Sequence, residues 1–212
     1  TYTMLGGTES RGILDMAAEA IFKDLPESAT ISASFVEVYN EVIRDLIRED
    51  SSHSSVQIRG NKCCSTEKEC KDHSTIMSIL KKGLAKRAVS ATAMNEQSSR
   101  SHSIFTLSLK MTTSEGKVVT SALNLVDLAG SESVKHTGAS GQRQKEGAKI
   151  HQSLLSLGKV IHALSQGEQQ HGGPSVHVSY RDSKLTRLLQ PSLSGEAQMS
   201  VICCVTPSAC LL

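Results

Sequence analysis

The sequence predicts an α/β domain, because segments with helical and strand-like patterns alternate along its 212 residues. The longest helical segment has apolar residues at every third or fourth position, and the strand segments are rich in β-branched and aromatic residues. With 38% hydrophobic residues, the chain can bury a substantial core. Helices are predicted over residues 11–23, 74–91 and 145–165, and strands over 30–39, 104–112 and 117–126.

Shorter segments complete the pattern. They are a helix over 42–47, a strand over 56–58, a helix over 181–189 and a closing strand over 199–205. Cys203 and Cys204 in the closing strand are expected to be buried small hydrophobes. Pro191 is expected to end the preceding helix, because a residue before proline avoids helical geometry. The first strands of an α/β pattern are missing, so we expect one incomplete domain.

Composition excludes several classes of protein. A net charge of +2 is too small to indicate a polyanionic partner such as nucleic acid, so any basic surface must be local. No run of about 18 apolar residues predicts a membrane span, and no secretory leader is recognisable. Three cysteines lie near His73 in the sequence, namely Cys63, Cys64 and Cys70, but they lack the paired spacing of a zinc site. Reduced thiols are therefore favoured over a metal site.

Two polar loops carry the clearest chemical signal. Residues 95–102, Asn-Glu-Gln-Ser-Ser-Arg-Ser-His, offer hydroxyls, a guanidinium and an imidazole. Residues 127–132, Asp-Leu-Ala-Gly-Ser-Glu, directly follow the apolar strand and offer two carboxylates and a glycine. Hydroxyls suit Mg²⁺, a carboxylate suits its water shell, and a glycine N–H suits a terminal phosphoryl group. In open α/β sheets ligands bind at the carboxyl ends of strands, which places Asp127 well for metal binding.

These loops and several further motifs resemble the kinesin motor domain, in the same order along nearly the whole chain. The further motifs are Ser34–Glu41 with Asp45–Ile47, Thr137–Ala139 with Lys145–Glu146, Ser153–Gly158 and Tyr180–Thr186. The resemblance implies an α/β fold of the P-loop NTPase type, with three layers and a central, mostly parallel sheet flanked by helices. It also implies that residues 1–212 are a single partial motor domain, incomplete at both ends. Residues 95–102 would be switch I, 127–132 switch II, and about 135–190 the track-binding region.

The resemblance also implies roles for individual residues, with ATP and Mg²⁺ as cofactors and the microtubule as partner. The catalytic residues would be Ser98, Arg100 and Glu132, with an Arg100–Glu132 ion pair closing the loops over the phosphate. The nucleotide would contact Thr1, Ser98, Ser99, Asp127 and Gly130, and Mg²⁺ would be held by Thr1, Ser99 and, through water, Asp127. The microtubule would contact Lys145, Lys149, Lys159, Arg181, Lys184 and Arg187. No nucleic acid or membrane insertion is implied, and the oligomeric state is set outside this segment.

Departures from the family pattern leave the activity of this chain open. The phosphate-loop glycines and lysine that should precede Thr1 are absent, so the chain alone is expected to be inactive. The first interpretation is the core of an ATP-hydrolysing microtubule motor of the cytoplasm and cytoskeleton. The alternative is a non-catalytic module that binds microtubules or other partners. A GTPase is a remote third possibility, because it leaves the track-binding motifs unexplained.

Overall fold

The computed structural model describes residues 1–49, 55–60, 62–91, 100–131, 142–169, 177–195 and 197–205. The helices are α1 Tyr2–Leu5, α2 Ile13–Lys23, α3 His73–Ala91, α4 Gln142–Gln169 and α5 Lys184–Leu193. The strands are β1 Ala29–Tyr39, β2 Val42–Asp45, β3 Ile58–Arg59, β4 Lys62–Cys63, β5 Lys68–Cys70, β6 His102–Thr112 and β7 Val118–Asp127. Within this part of the chain, no helix has the length and apolar character that a membrane crossing requires.

The main sheet has the strand order β2-β1-β6-β7, with β5 paired to the same edge of β1 as β2. Strands β6 and β7 form the predicted hairpin, in which Ile104 lies opposite Val126. Every pairing among the described strands is antiparallel, which differs from the mostly parallel sheet that the resemblance implied. The antiparallel pairings of β1 with β2 and of β6 with β7 follow from the short turns that join these strands.

Helices cover both faces of the sheet, as a three-layer domain requires. Alternate residues of β1 and β6 point to opposite faces, so each strand supplies both core clusters. One cluster joins Phe35 and Phe105 to α2 and α3, and the other joins Val38 and Ile104 to α4 and α5. The rings of Phe35 and Phe105 meet edge to face, with centroids 5.3 Å apart.

The predicted helix over 42–47 is wrong, because residues 42–45 form strand β2. Asn40 and Glu41 both have positive φ, 54° and 61°, and form a tight turn that reverses the chain after β1. Val42 then pairs with Tyr39, and Ile43, 1% exposed, packs beside α5. The turn residues decide the structure here, because four apolar residues within the six of 42–47 are too short a pattern to separate a helix from a strand.

The predicted closing strand over 199–205 is also wrong, because this segment pairs with no strand among the described residues. Its apolar side chains are exposed, Val205 to 90%, and so are Cys203 and Cys204. A strand is stable only when a neighbouring strand takes up its backbone hydrogen bonds, and apolar composition alone does not supply one.

The predicted helix over 181–189 has different boundaries. A 3₁₀ turn over Tyr180–Asp182 precedes α5, and Ser183 between them is extended. The Ser183 side chain accepts a hydrogen bond from the Thr186 backbone N–H at 3.1 Å, which caps α5. Pro191 does not end α5, which continues to the buried Leu193. Packing of Leu189 and Leu193 into the core offsets the loss of one helical hydrogen bond at the proline.

Candidate nucleotide site

Thr1 and Asp127, two of the predicted metal-binding residues, lie side by side. Thr1 precedes α1 as its N-cap, and Asp127 is the last residue of β7. The Thr1 hydroxyl donates to Asp127 Oδ2 at 2.7 Å. A hydroxyl beside a carboxylate at a strand end is an oxygen-rich site of the kind that Mg²⁺ prefers. The two side chains therefore fit a bound Mg²⁺ with a hydroxyl ligand and a carboxylate on its water shell.

Arg87 of α3 connects this site to Ser101, near the end of the predicted switch I loop. Its side chain is 4% exposed, and Nη1 lies 3.5 Å from Asp127 Oδ2. Nη2 donates to the Ser101 carbonyl at 2.9 Å, and Nε donates to the Ser101 hydroxyl at 3.2 Å. A guanidinium has five donors in a fixed fork, so it can hold several groups in place at once. Arg87 thus holds the Asp127 carboxylate and the chain just before β6 together.

Arg87 lies beside a second carboxylate, that of the buried Glu37, as well as beside Asp127. Glu37 of β1 has no exposed area; its Oε1 lies 3.5 Å from Arg87 Nε, and its Oε2 lies 3.5 Å from Arg44 Nη1. Within the described part of the chain neither Glu37 oxygen accepts a hydrogen bond, so the two nearby guanidinium groups balance the charge of its carboxylate. A buried charge without a partner lowers the stability of the fold, so removing Arg87 would leave the Glu37 carboxylate strongly unfavourable in the folded state.

Sequence reasoning assigned no role to Arg87 or Glu37. Arg87 continues the buried face of α3, which includes Ile76, Leu80 and Gly83, at helical spacing. Glu37 lies within an apolar strand segment. A charged residue on an otherwise buried face is the signal that could have identified both.

His102 begins β6 and contacts two other elements. The Ala129 backbone N–H donates to Nδ1 at 3.0 Å, and Nε2 lies 2.7 Å from the Ser153 hydroxyl. Because Nδ1 accepts, the neutral imidazole carries its proton on Nε2 and donates to Ser153, which in turn donates to the Ile150 carbonyl at 2.7 Å. Burial and the nearby Arg87 lower the pKa of His102 to about 4, against the opposing effect of Asp127. His102 is therefore neutral near pH 7.

The other predicted nucleotide residues are only partly within the described residues. Ser98, Ser99 and Glu132 lie outside them, so the Arg100–Glu132 ion pair stays a prediction. Arg100 is half-buried and lines a cavity of about 10 Å³ together with His102, Ser153 and Lys149. Gly130 lies three residues after Asp127 and next to Ala129, which bonds His102.

The predicted microtubule-binding residues lie on α4 and near α5. Lys149 and Lys159 are exposed on α4; Lys145 lies in the same helix, with its side chain outside the described part. Lys184 and Arg187 share α5, but Arg181 lies in the preceding 3₁₀ turn, so the three residues are not on one helix as the predicted helix over 181–189 implied. The Lys184 backbone N–H donates to Glu41 Oε2 at 2.8 Å, which ties the start of α5 to the β1–β2 turn.

Comparison with known protein families shows which family this chain belongs to. The model of the kinesin motor domain matches residues 1–211. This chain belongs to the kinesin motor domain family. Its fold is accordingly the α/β fold of the P-loop NTPase type found in kinesin motors, and the described residues supply an antiparallel region of the sheet with helices on both faces.

Individual kinesins match nearly the whole chain. The kinesin-like protein KIN-7E, chloroplastic, of Oryza sativa subsp. japonica is 42% identical over 226 residues, which cover 99% of this chain and 18% of that protein. The kinesin-like protein KIF27 of Mus musculus is 39% identical over 236 residues, covering 99% of this chain and 17% of that protein. This chain therefore spans less than one fifth of the length of these two relatives.

Solved kinesin structures are similar in fold. A fast kinesin superposes with a TM-score of 0.76 at 40% identity, covering 90% of this chain and 56% of that chain. The KIF14 dimer with AMP-PNP in complex with a microtubule superposes with a TM-score of 0.74 at 38% identity, covering 89% of this chain and 57% of that chain.

Proposed function

We propose that this chain is the core of a motor ATPase that couples ATP binding and hydrolysis to microtubule binding and movement. The observation that carries the proposal is the contact of Thr1 with Asp127, held by the buried Arg87. A hydroxyl and a carboxylate brought together at a strand end have the chemistry of a metal-bound phosphate site. Membership in the kinesin family gives that site its substrate class, a nucleoside triphosphate.

In the proposed mechanism, positioning and electrostatics supply the catalysis, and no side chain becomes a covalent nucleophile. Bound Mg²⁺ would neutralise charge on the phosphate oxygens. Thr1 and Ser99 would ligate it through their hydroxyls, and Asp127 would accept from its water shell. Ser98 and Gly130 would contact the terminal phosphate. Arg100 and Glu132 would pair to close the two loops, and Ser98 with Glu132 would orient the attacking water.

The exposed lysines of α4 and the basic residues near α5 would form the microtubule-binding surface. Lys149 and Lys159 are exposed, and Lys184 lies at the capped start of α5. Attraction between such a surface and the acidic exterior of tubulin weakens as salt rises. KIF14, a structural neighbour, is bound to a microtubule, which supports the same partner and a cytoskeletal location for this protein.

The test is the ATPase rate of the full-length protein with and without stabilised microtubules. We expect saturable stimulation by microtubules, and a preference for ATP over GTP. Asp127→Asn should lower turnover at least about 100-fold, because the neutral amide no longer complements the metal-bound water. Asp24→Asn, at the exposed end of α2, is the matched control and should keep the wild-type rate. Microtubule binding without turnover would instead support the non-catalytic module.

A further inference from the structure

We propose that His102 is a positioning residue that couples the loop after β7 to helix α4. The inference rests on the proposed function, because that loop would contact the nucleotide and α4 would contact the microtubule. It assigns the coupling to two particular hydrogen bonds, Ala129 N–H to His102 Nδ1 and His102 Nε2 to Ser153 Oγ.

The geometry makes His102 the shared partner of both elements. Its ring is 2% exposed, and its two nitrogens contact Ala129 at 3.0 Å and Ser153 at 2.7 Å. Ala129 lies two residues after Asp127, the carboxylate that contacts Thr1. Ser153 is 2% exposed and lies on α4, one helical turn after the exposed Lys149.

The imidazole ring is rigid, so its two hydrogen bonds are not independent. If the loop shifts and the ring follows the Ala129 N–H, the Nε2 proton moves relative to the Ser153 hydroxyl. Both bonds are buried, where a lost partner is not replaced by water without cost. A loop movement that follows the nucleotide therefore changes the free energy of the contact with α4.

The adjoining cavity gives the contact room to change. It has a volume of about 10 Å³ and is lined by His102, Ser153, Arg100, Lys149 and Glu41, among others. This is close to the volume that a single water molecule needs, and the lining is polar. Side chains from switch I and from α4 thus face the same small space beside the His102–Ser153 bond.

The chain offers a matched control on the same helix. Ser153 and Ser156 are both buried, and each donates to a backbone carbonyl of α4, to Ile150 at 2.7 Å and to Gln152 at 2.8 Å. Of the two, only Ser153 bonds His102 among the described contacts. Ser153→Ala and Ser156→Ala therefore remove the same type of helix contact, but only the first removes the contact with β6.

The experiment measures the microtubule Kd of the full-length protein in ADP and in AMP-PNP. The quantity compared between variants is the larger of these two Kd values divided by the smaller. Ser153→Ala should reduce this ratio about fivefold, the effect of one net hydrogen bond on the coupling between two sites. Ser156→Ala should leave the ratio within about 1.5-fold of wild type. The inference is refuted if both variants keep the wild-type ratio or reduce it equally.

Variants of His102 test the ring itself. Asparagine can keep an acceptor near Nδ1 for Ala129 but cannot reach Ser153, so His102→Asn should reproduce the reduced ratio of Ser153→Ala. Adding Ser153→Ala to His102→Asn should then change the ratio no further, since both remove one interaction. Additive effects of the two variants would overturn the proposed link. If the wild-type protein shows no nucleotide-dependent Kd and no stimulated ATPase, the proposed function itself fails.

Discussion

Two helix-interior glycines should respond to the same substitution with opposite signs. Gly83 of α3 packs directly on the buried ring of Phe35: a Cβ at position 83 would lie 2.8 Å from Phe35 Cε1 and closer still to Cδ1. Gly158 of α4 is exposed, and a Cβ there would meet no atom within 4 Å. We therefore expect Gly83→Ala to destabilise the domain and Gly158→Ala to stabilise it.

The magnitudes follow from two opposing effects. Alanine is favoured over glycine in a helix by about 1 kcal/mol, and this gain applies at both positions. At position 83 the added methyl group also overpacks the core, which costs up to about 3 kcal/mol. Phe35 cannot move aside cheaply, because it is 2% exposed and its ring meets Phe105 edge to face. The expected changes in the free energy of unfolding are a loss of about 2 kcal/mol for Gly83→Ala and a gain of about 1 kcal/mol for Gly158→Ala.

The assay is urea unfolding of the motor domain within the full-length protein, followed by pulse proteolysis. The two variants should move the midpoint in opposite directions relative to wild type. A second arm uses Phe35→Leu, in which the ring is gone and Gly83→Ala should cost much less than it does in the wild type. Equal shifts for Gly83→Ala and Gly158→Ala would refute the reasoning, because propensity alone would then explain both.

The remaining predictions use the same unfolding assay. The pKa of His102 in the folded protein is lowered to about 4, so between pH 6.5 and 4 the unfolded chain binds more protons than the folded chain. The free energy of unfolding therefore falls as the pH falls through this window. His102→Gln should remove up to about 3 kcal/mol of that pH dependence. Arg87→Met should cost about 3–5 kcal/mol, because two carboxylates lose a buried guanidinium. Arg44→Met should cost less than Arg87→Met, because Arg44 is half-buried and Glu37 keeps its contact with Arg87. Ser183→Ala should cost about 1 kcal/mol as the lost cap of α5, whereas Ser194→Ala, at an exposed site, should cost almost nothing.

Elements with a long and regular pattern could be predicted from the sequence. Strand β1, helices α2 and α3 and the β6–β7 hairpin lie within a few residues of their predicted bounds. Strands β1 and β6 and helices α2 and α3 each supply several residues to the core, whereas β7 is mostly exposed and is fixed by its pairing with β6. Helix α4 was also expected, but it begins at Gln142 and ends at Gln169, longer than its apolar stripe. A stripe indicates which residues are buried and not where the helix ends.

Short apolar segments could not be predicted, because their structure depends on neighbours distant in sequence. Residues 42–45 became a strand through the Asn40–Glu41 turn and their pairing with β1. Residues 199–205 have strand-like composition but pair with no described strand. In both segments the presence or absence of a strand to pair with, and not the local pattern of side chains, decided the outcome.

In the candidate site, too, residues within a local sequence motif could be predicted, whereas their partners from distant parts of the chain could not. Asp127 was identifiable because it follows an apolar strand and belongs to a recognisable loop. Arg87, which contacts the Asp127 carboxylate, lies on α3, a helix whose sequence otherwise indicates only core packing. Glu37, which also lies beside the Arg87 guanidinium, is on β1. Since one buried cation serves both carboxylates, the arrangement at Asp127 depends on the packing of α3 against β1. Substitutions at Arg87 or Glu37 should therefore change the candidate nucleotide site and the stability of the core together, which distinguishes them from substitutions at Asp127 itself.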